Sequence, residues 1–478
     1  MTLRRQAFSG VRWTTASSLG RTFLQIAQIS ILARLLTPAD FGLVALVTSI
    51  MVFLQIFADA GISNAIIHHQ DISQKQLSSL YWLNVGVSAG LALLIAAFAP
   101  LVAAWYKQPQ INVLLLMAGG TMLIGACAQQ LRMVARKKLQ FALLAKTELW
   151  SAVIGFVVAS VTAYKGFGVY SILFGSLVSA TAGSVLVWWW LSEGWRPQFY
   201  FSFREIRHFL VFGAYMIGNN LANAFNSQID IMLGGKLLGL QAIGLYSMPR
   251  DLNLRIAGVI NPIVTNVGLP VMAKAQSDRA LLKNVYLQTM RMTASANFPV
   301  YVFLALFASP IVHILLGPKW EEAIPLLQIF AVWGLLRSTG SPIGSLLMAC
   351  GRADLSFKWN IALLVIIPPF IYLGSYYGVT GMALAMTGII LLLFWPNWYF
   401  QVYPLCGARF SEYSYELAVP LALSIVSNIL SFWGVYFLPN DLLQLLFGLL
   451  VSMILYVMLS VRFNRTWMRA MSELTGLS

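Results

Sequence analysis

A succession of apolar stretches, each long enough to cross a bilayer, constrains this chain more than any other feature. About fourteen of them follow one another between residues 11 and 462, and roughly 20 helical residues at about 1.5 Å each cross the hydrocarbon core. Only 10% of the residues are charged, against about 25% in soluble domains. We therefore predict an all-α integral membrane protein with about fourteen transmembrane helices.

The basic residues are divided unequally between the two sides of this predicted topology. With a cytoplasmic N-terminus, 22 of the 31 Lys and Arg residues lie on the cytoplasmic side and 5 on the opposite side. This positive-inside pattern predicts that both termini are cytoplasmic. It also accounts for the net charge of +15 without a nucleic-acid partner. The three cysteines, Cys127, Cys350 and Cys406, have no metal-site spacing, so we predict no metal.

One apolar stretch, residues 209–235, carries a polar stripe. Its polar positions, on or beside one helical face, are Asn219, Asn220, Asn223, Asn226 and Asp230. Polar groups are costly in lipid, so this face must point at other helices or at water. Hydrogen bonds between helices are one interpretation, and the wall of a polar cavity is the other.

The first apolar stretch, residues 11–36, repeats this pattern. A shift of 202 residues places Arg21 on Asn223 and Gln28 on Asp230, with Gln25 on Ser227. Striped helices at corresponding positions of two halves are typical of a transporter with a cavity between two lobes. We predict a six-helix lobe at 1–200, a second at 201–400, and two further helices with a cytoplasmic tail at 401–478.

Four cations lie well inside the predicted spans: Arg21, Arg250, Arg255 and Arg337. Intramembrane charges usually face a cavity or a partner, and a guanidinium suits a phosphate group. A buried salt-bridge network is the alternative for the segment that holds Arg250, Asp251 and Arg255. Carboxylates that could exchange a salt bridge for a proton are, in order of preference, Asp230, Asp251, Glu148 and Asp59.

Five segments carry a resemblance to a known family: ARLLTPADFGL at 33–43, LYWLNVG at 80–86, GLLRS at 334–338, PIGSLLMA at 342–349 and DLSFK at 354–358. These segments resemble the Wzx-type polysaccharide flippases of the multidrug/oligosaccharidyl-lipid/polysaccharide (MOP) superfamily. The branch that exports colanic-acid-like and teichuronic-acid-like polymers is the most similar. The resemblance implies two six-helix lobes around a central cavity, two extra C-terminal helices and alternating access. The implied substrate is an undecaprenyl-diphosphate-linked oligosaccharide, moved across the bacterial inner membrane.

Combining the stripes with this resemblance gives a predicted site. The four arginines are assigned to the diphosphate, and the sugar contacts are Gln25, Gln28, Asn219, Asn220, Asn223 and Asn226. We predict no cofactor, with a proton or sodium ion for coupling. The expected partners are membrane lipids, a polymerase and chain-length or export machinery.

Three other classes of function are less consistent with the sequence. A MATE-like drug or organic-cation antiporter would favour carboxylates without cationic partners. A membrane enzyme is disfavoured because the sequence has no DxD motif, no P-loop and no long extramembrane segment. A purely structural membrane protein would not need two polar stripes.

Overall fold

The computed structural model describes residues 3–59 and 72–475, and these residues form α-helices without a β-strand. In chain order the helices are α1 (Leu3–Leu35), α2 (Pro38–Asp59), α3 (Gln74–Tyr106), α4 (Gln110–Lys137), α5 (Phe141–Tyr164), α6 (Tyr170–Leu191), α7 (Phe203–Leu237), α8 (Leu240–Ala275), α9 (Arg279–Leu306), α10 (Ala308–Leu315), α11 (Ala323–Ser338), α12 (Gly340–Ala349), α13 (Ala353–Ser375), α14 (Gly378–Asn397), α15 (Tyr403–Cys406), α16 (Phe410–Val435), α17 (Asp441–Phe463) and α18 (Arg465–Thr475). A 3₁₀ turn at Pro318–Trp320 precedes α11, and a π-helical turn at Trp398–Val402 joins α14 to α15.

The all-α membrane class predicted from the sequence is confirmed. In the described part of the chain, 11 helices are long and apolar enough to span a membrane, or 12 if α9 and α10, bent by 79°, form one span. The two polar-striped helices, α1 with 33 residues and α7 with 35, are not among them, although both have sufficient length. The count of fourteen therefore stays a prediction.

The chain divides into two compact units, Met1–Gly244 and Leu245–Ser478, which are described separately. In the first unit α5 packs against α1 and α6, and α4 packs against α3 and α6. Helix α7 packs against α2 and α3 of the same unit. The boundaries predicted at 200 and 400 refer to the sequence repeat and stay predictions.

Within the first unit, the N-terminal turns of α2 and α8 meet backbone to backbone. A Cβ atom at Gly42 would lie within 3.0 Å of the Leu240 carbonyl oxygen, and a Cβ at Gly244 within 3.0 Å of the Pro38 carbonyl oxygen. Only glycine allows so close an approach. The two contacts are reciprocal, because the shift of 202 residues pairs Pro38 with Leu240 and Gly42 with Gly244. We call them the reciprocal glycine contact.

In the second unit, α9 is the helix around which the others pack, with α11 on one flank and α16 on another. Polar side chains fix α16 and α17 to it. The Asn428 amide donates to the Pro299 carbonyl at 3.3 Å, and Ser452 donates to Asn428 Oδ1 at 2.7 Å. About two turns before Pro299, near the middle of α9, Arg291 Nη1 lies 3.2 Å from Glu416 Oε2. The two C-terminal helices are thus bonded into this unit by the kind of polar contact that holds membrane helices together.

Candidate functional site

In the first unit, Arg21 of α1 forms an ion pair with Glu148 of α5. The distance from Arg21 Nη1 to Glu148 Oε2 is 3.0 Å, and the side chains are 44% and 28% exposed. Close by, the Lys146 ammonium lies 6.0 Å from the centre of the Trp13 ring, so α1 and α5 are joined by a second contact. Because both members of the ion pair keep an accessible surface, a ligand can reach them without unfolding the unit.

The polar stripe of α7 passes from exposed to buried along the helix. Asn220 and Asn223 are exposed, Asn226 is buried, and Asp230 has no accessible surface. Asp230 Oδ1 accepts a hydrogen bond from the backbone amide of Ile231 at 2.9 Å. The burial follows from packing, because the C-terminal half of α7 lies against α2 and α3.

On α1 the two predicted sugar-binding amides also differ in exposure. Gln25 is exposed and Gln28 is half-buried. Asn219 is a predicted sugar contact and Asp59 a predicted coupling carboxylate. Their side chains lie outside the described part of the structure.

In the second unit, the polar segment of α8 contains a buried guanidinium. Arg250 is 2% exposed, and its Nη1 lies 3.2 Å from Asp251 Oδ1. Asn253 is fully buried and donates from Nδ2 to the Pro249 carbonyl at 2.8 Å. Arg255 follows on the next half-turn and is half-buried. The charged groups of this segment therefore sit among hydrogen-bonded neighbours, as intramembrane charges require.

Tyr301 of α9 connects this segment to α11. Its hydroxyl donates to the Asn253 carbonyl at 3.1 Å. A Cβ atom at Gly334 would lie 2.5 Å from Tyr301 Cε1 and 3.1 Å from Asn253 Oδ1. Because residue 334 has no side chain, α11 can approach Tyr301 and Asn253 closely. One turn further, the exposed Arg337 places its Cζ 5.0 Å from the centre of the Trp333 ring and lies within electrostatic range of Tyr301.

Three polar side chains that were not predicted for the site form hydrogen bonds between three helices of the second unit. Asn297 of α9 donates to Asn261 Oδ1 of α8 at 2.9 Å, and Asn261 donates to Ser341 Oγ of α12 at 2.8 Å. Asn297 is fully buried and also donates to the Thr293 carbonyl at 2.9 Å. The sequence showed only that each of three apolar spans contains a polar residue. Which of these polar residues contact one another depends on the packing of the helices.

The structure brings some predicted residues together and leaves others apart. Within the second unit, Arg337 lies within electrostatic range of Tyr301, whereas Arg250 pairs with Asp251 on α8 and Arg255 lies on the same helix. Arg21 belongs to the first unit, where Glu148 is its partner. The convergence of all four arginines on one cavity stays a prediction. A further cation, Arg132 of α4, lies within electrostatic range of Arg21 and Glu148. Arg132 is not among the site residues predicted from the sequence, so its proximity to Glu148 was missed.

The comparisons with known proteins agree with the sequence resemblance. Residues 31–325 match the family model described as polysaccharide biosynthesis protein. The teichuronic acid biosynthesis protein TuaB of Bacillus subtilis (strain 168) is 29% identical over 393 residues, which cover 82% of this chain and 79% of that protein. The lipopolysaccharide biosynthesis protein WzxC of Escherichia coli (strain K12) is 28% identical over 433 residues, or 90% and 88% of the two chains.

Two solved transporter structures share the fold of this chain. The lipid II flippase MurJ in an inward closed conformation matches with a TM-score of 0.75 at 14% identity, covering 95% of this chain and 99% of that one. An inward-facing multidrug transporter of the MATE family matches with a TM-score of 0.62 at 16% identity, over 81% and 96% of the two chains. At these identities the likeness establishes the architecture alone.

Proposed function

Because this chain belongs to the family of polysaccharide biosynthesis proteins, we propose that it flips an undecaprenyl-diphosphate-linked oligosaccharide across the bacterial inner membrane by alternating access. The headgroup would move from the cytoplasmic to the outer leaflet, with both termini of the protein in the cytoplasm. Membrane lipids would surround the helices, and a polymerase with chain-length or export machinery would receive the product.

The observation that supports this proposal is that three guanidinium groups lie on apolar helices of the second unit. Arg250 and Arg255 belong to α8 and Arg337 to α11, and Asp251 balances one of their charges. A diphosphate is a multidentate anion, and guanidinium forks bind such anions through paired hydrogen bonds. The arginines are thus suited to a diphosphate headgroup. The lipid tail can stay in the bilayer and need not enter the site.

The amide side chains suit the sugar part of the substrate. Gln25, Asn220 and Asn223 are exposed, and each offers both donors and an acceptor to hydroxyl groups. Gln28, Asn219 and Asn226 are the other amides that we assign to the sugar.

A drug or organic-cation antiporter shares the fold and is the second candidate. A cationic substrate would be repelled by the same three guanidinium groups, which is why the anionic substrate is preferred.

The test uses purified protein in proteoliposomes with a fluorescent lipid-linked oligosaccharide. Removing a charged hydrogen-bond donor costs roughly 1.5–3 kcal/mol, so Arg255→Ala should slow flipping by about tenfold or more. Arg255→Lys should recover only part of the rate, because the fork is lost. Arg352→Ala removes a guanidinium that pairs with Asp354 just before α13, so it is the matched control. A wild-type rate in Arg255→Ala would contradict the assignment of Arg255, and no flipping by the wild type would contradict the function.

A further inference from the structure

We infer that Arg132 of α4 is a further phosphate-binding residue of the first unit, and that Glu148 is the internal anion it shares with Arg21 until a phosphate replaces that carboxylate. The inference rests on the proposed function and adds a residue and a counter-anion to it.

The first argument is the path of the Arg132 side chain. Arg132 Nη2 lies 3.2 Å from the point that a Cβ atom of Gly183 would occupy, and the Cβ of Ser151 lies 3.3 Å from that point. Gly183 is a buried residue of α6, and Ser151 belongs to α5. The guanidinium therefore reaches from α4 to the α5–α6 interface. The missing side chain at residue 183 leaves room for it.

The second argument is the balance of charge. Arg132 lies within electrostatic range of Glu148, Arg136 and Arg21, and Arg21 contacts Glu148 at 3.0 Å. Three guanidinium groups and one carboxylate leave two net positive charges. A phosphate accepts from the guanidinium groups of Arg132 and Arg21 in the bidentate geometry that a carboxylate also uses. Glu148 thus occupies the place of the ligand's anion and can exchange with it.

The third argument is the depth of the cluster. Arg132 lies about 8 Å along the axis from the C-terminal end of α4, and Glu148 about 10 Å from the N-terminal end of α5. In the proposed orientation both of these helix ends are cytoplasmic. A phosphate at this level would be held before the headgroup crosses the membrane, so the cluster would act in recognition of the substrate.

A purely structural ion-pair triad predicts the opposite response to one substitution. If Glu148 only holds two cations together, Glu148→Gln leaves them repelling each other and distorts the site. If Glu148 competes with phosphate, Glu148→Gln removes the competitor and raises the affinity for the anion.

The experiment measures binding of inorganic pyrophosphate to the full chain in nanodiscs of zwitterionic lipid by calorimetry at low salt. We expect Arg132→Ala to raise Kd about tenfold and Glu148→Gln to lower it. Arg352→Ala is the matched control, because Arg352 is an exposed arginine of the second unit that pairs with Asp354. Gly183→Ala, which displaces the guanidinium, should also raise Kd, whereas Gly90→Ala, where a Cβ atom meets nothing within 4 Å, should not.

A wild-type Kd for pyrophosphate in Arg132→Ala would overturn the inference. A raised Kd in Glu148→Gln would also overturn it. If Arg132→Ala fails to fold, Gly183→Ala and Glu148→Gln still decide the question. A soluble isoprenyl diphosphate should compete with pyrophosphate, and phosphatidylglycerol in the nanodisc should not. Competition by phosphatidylglycerol would assign the site to ordinary phospholipid headgroups instead.

These binding results are independent of the proposed function. If the wild type does not flip the lipid-linked oligosaccharide, the function fails whatever the values of Kd. If the wild type flips it and Arg132→Ala flips it at the same rate, only the inference fails.

Discussion

Three carboxylates inside the helices of this protein have different surroundings. Glu148 is 28% exposed beside Arg21, and Asp251 is 46% exposed beside the buried Arg250. Asp230 has no exposed surface. A carboxylate that water can reach gains or loses a proton without rearrangement of its surroundings. A fully buried one exchanges its proton with water only when the helices around it move, which is the property that coupling requires.

We therefore expect Asp230→Asn to uncouple transport from a pH gradient. Asparagine keeps the shape of aspartate but cannot exchange a proton, so the buried site would no longer respond to protonation. The measurement is the rate of flipping in proteoliposomes with and without an imposed gradient.

The control is Asp354→Asn, because Asp354 pairs with Arg352 at the start of α13 and should leave the gradient dependence unchanged. Equal gradient dependence in wild type and Asp230→Asn would remove Asp230 from this role. If neither responds to the gradient, proton coupling itself is refuted, and a sodium gradient is the next condition to apply.

At the level of elements, the reciprocal glycine contact joins the beginnings of α2 and α8. Each glycine faces a backbone carbonyl, and backbone cannot move aside as a flexible side chain can. The two approaches share one small interface. A displacement of either helix start therefore acts on both glycines at once.

We expect Gly42→Ala and Gly244→Ala each to destabilise the folded protein, by about 1–3 kcal/mol as in overpacked cores. The double variant should lose less than the sum of the single losses, because the first methyl group already separates the helices and makes room for the second. Thermal unfolding in detergent for the four members of the cycle measures this. Gly86→Ala on α3, where a Cβ atom meets nothing within 4 Å, should unfold like the wild type. Strictly additive losses would show that the two glycines act separately.

The positions of the helices could be predicted from the sequence, whereas the contacts between helices could not. Hydropathy predicted the all-α membrane class, and 11 helices of the described residues, or 12 if the bent pair forms one span, are long and apolar enough to cross a membrane. Each predicted polar stripe lies on a single helix, with Gln25 on α1 and Asn223 and Asp230 on α7. The sequence did not reveal that Arg132 turns toward Gly183, or that Asn297 meets Asn261. These contacts depend on which helices are neighbours and on where a missing side chain leaves space, and neither is encoded in a local pattern.

At the level of the whole molecule, the distribution of basic residues predicts the orientation in the membrane. Single cysteines replacing Lys107, Lys165 and Lys319 should react with an impermeant maleimide added outside, because these lysines follow spans that lead outward. A cysteine at Lys137 should react only after the membrane is opened. The background variant has Cys127, Cys350 and Cys406 replaced by serine. Labelling of the Lys137 position from outside, with the Lys319 position protected, would reverse the orientation.

The reciprocal glycine contact also has a consequence for how this chain can evolve. In a symmetric homodimer, one gene encodes both sides of an isologous contact, so a single mutation changes both sides together. Here Gly42 and Gly244 are encoded separately in one chain. A mutation therefore changes one half of the contact and leaves the other half unchanged, so the two repeats can diverge one position at a time.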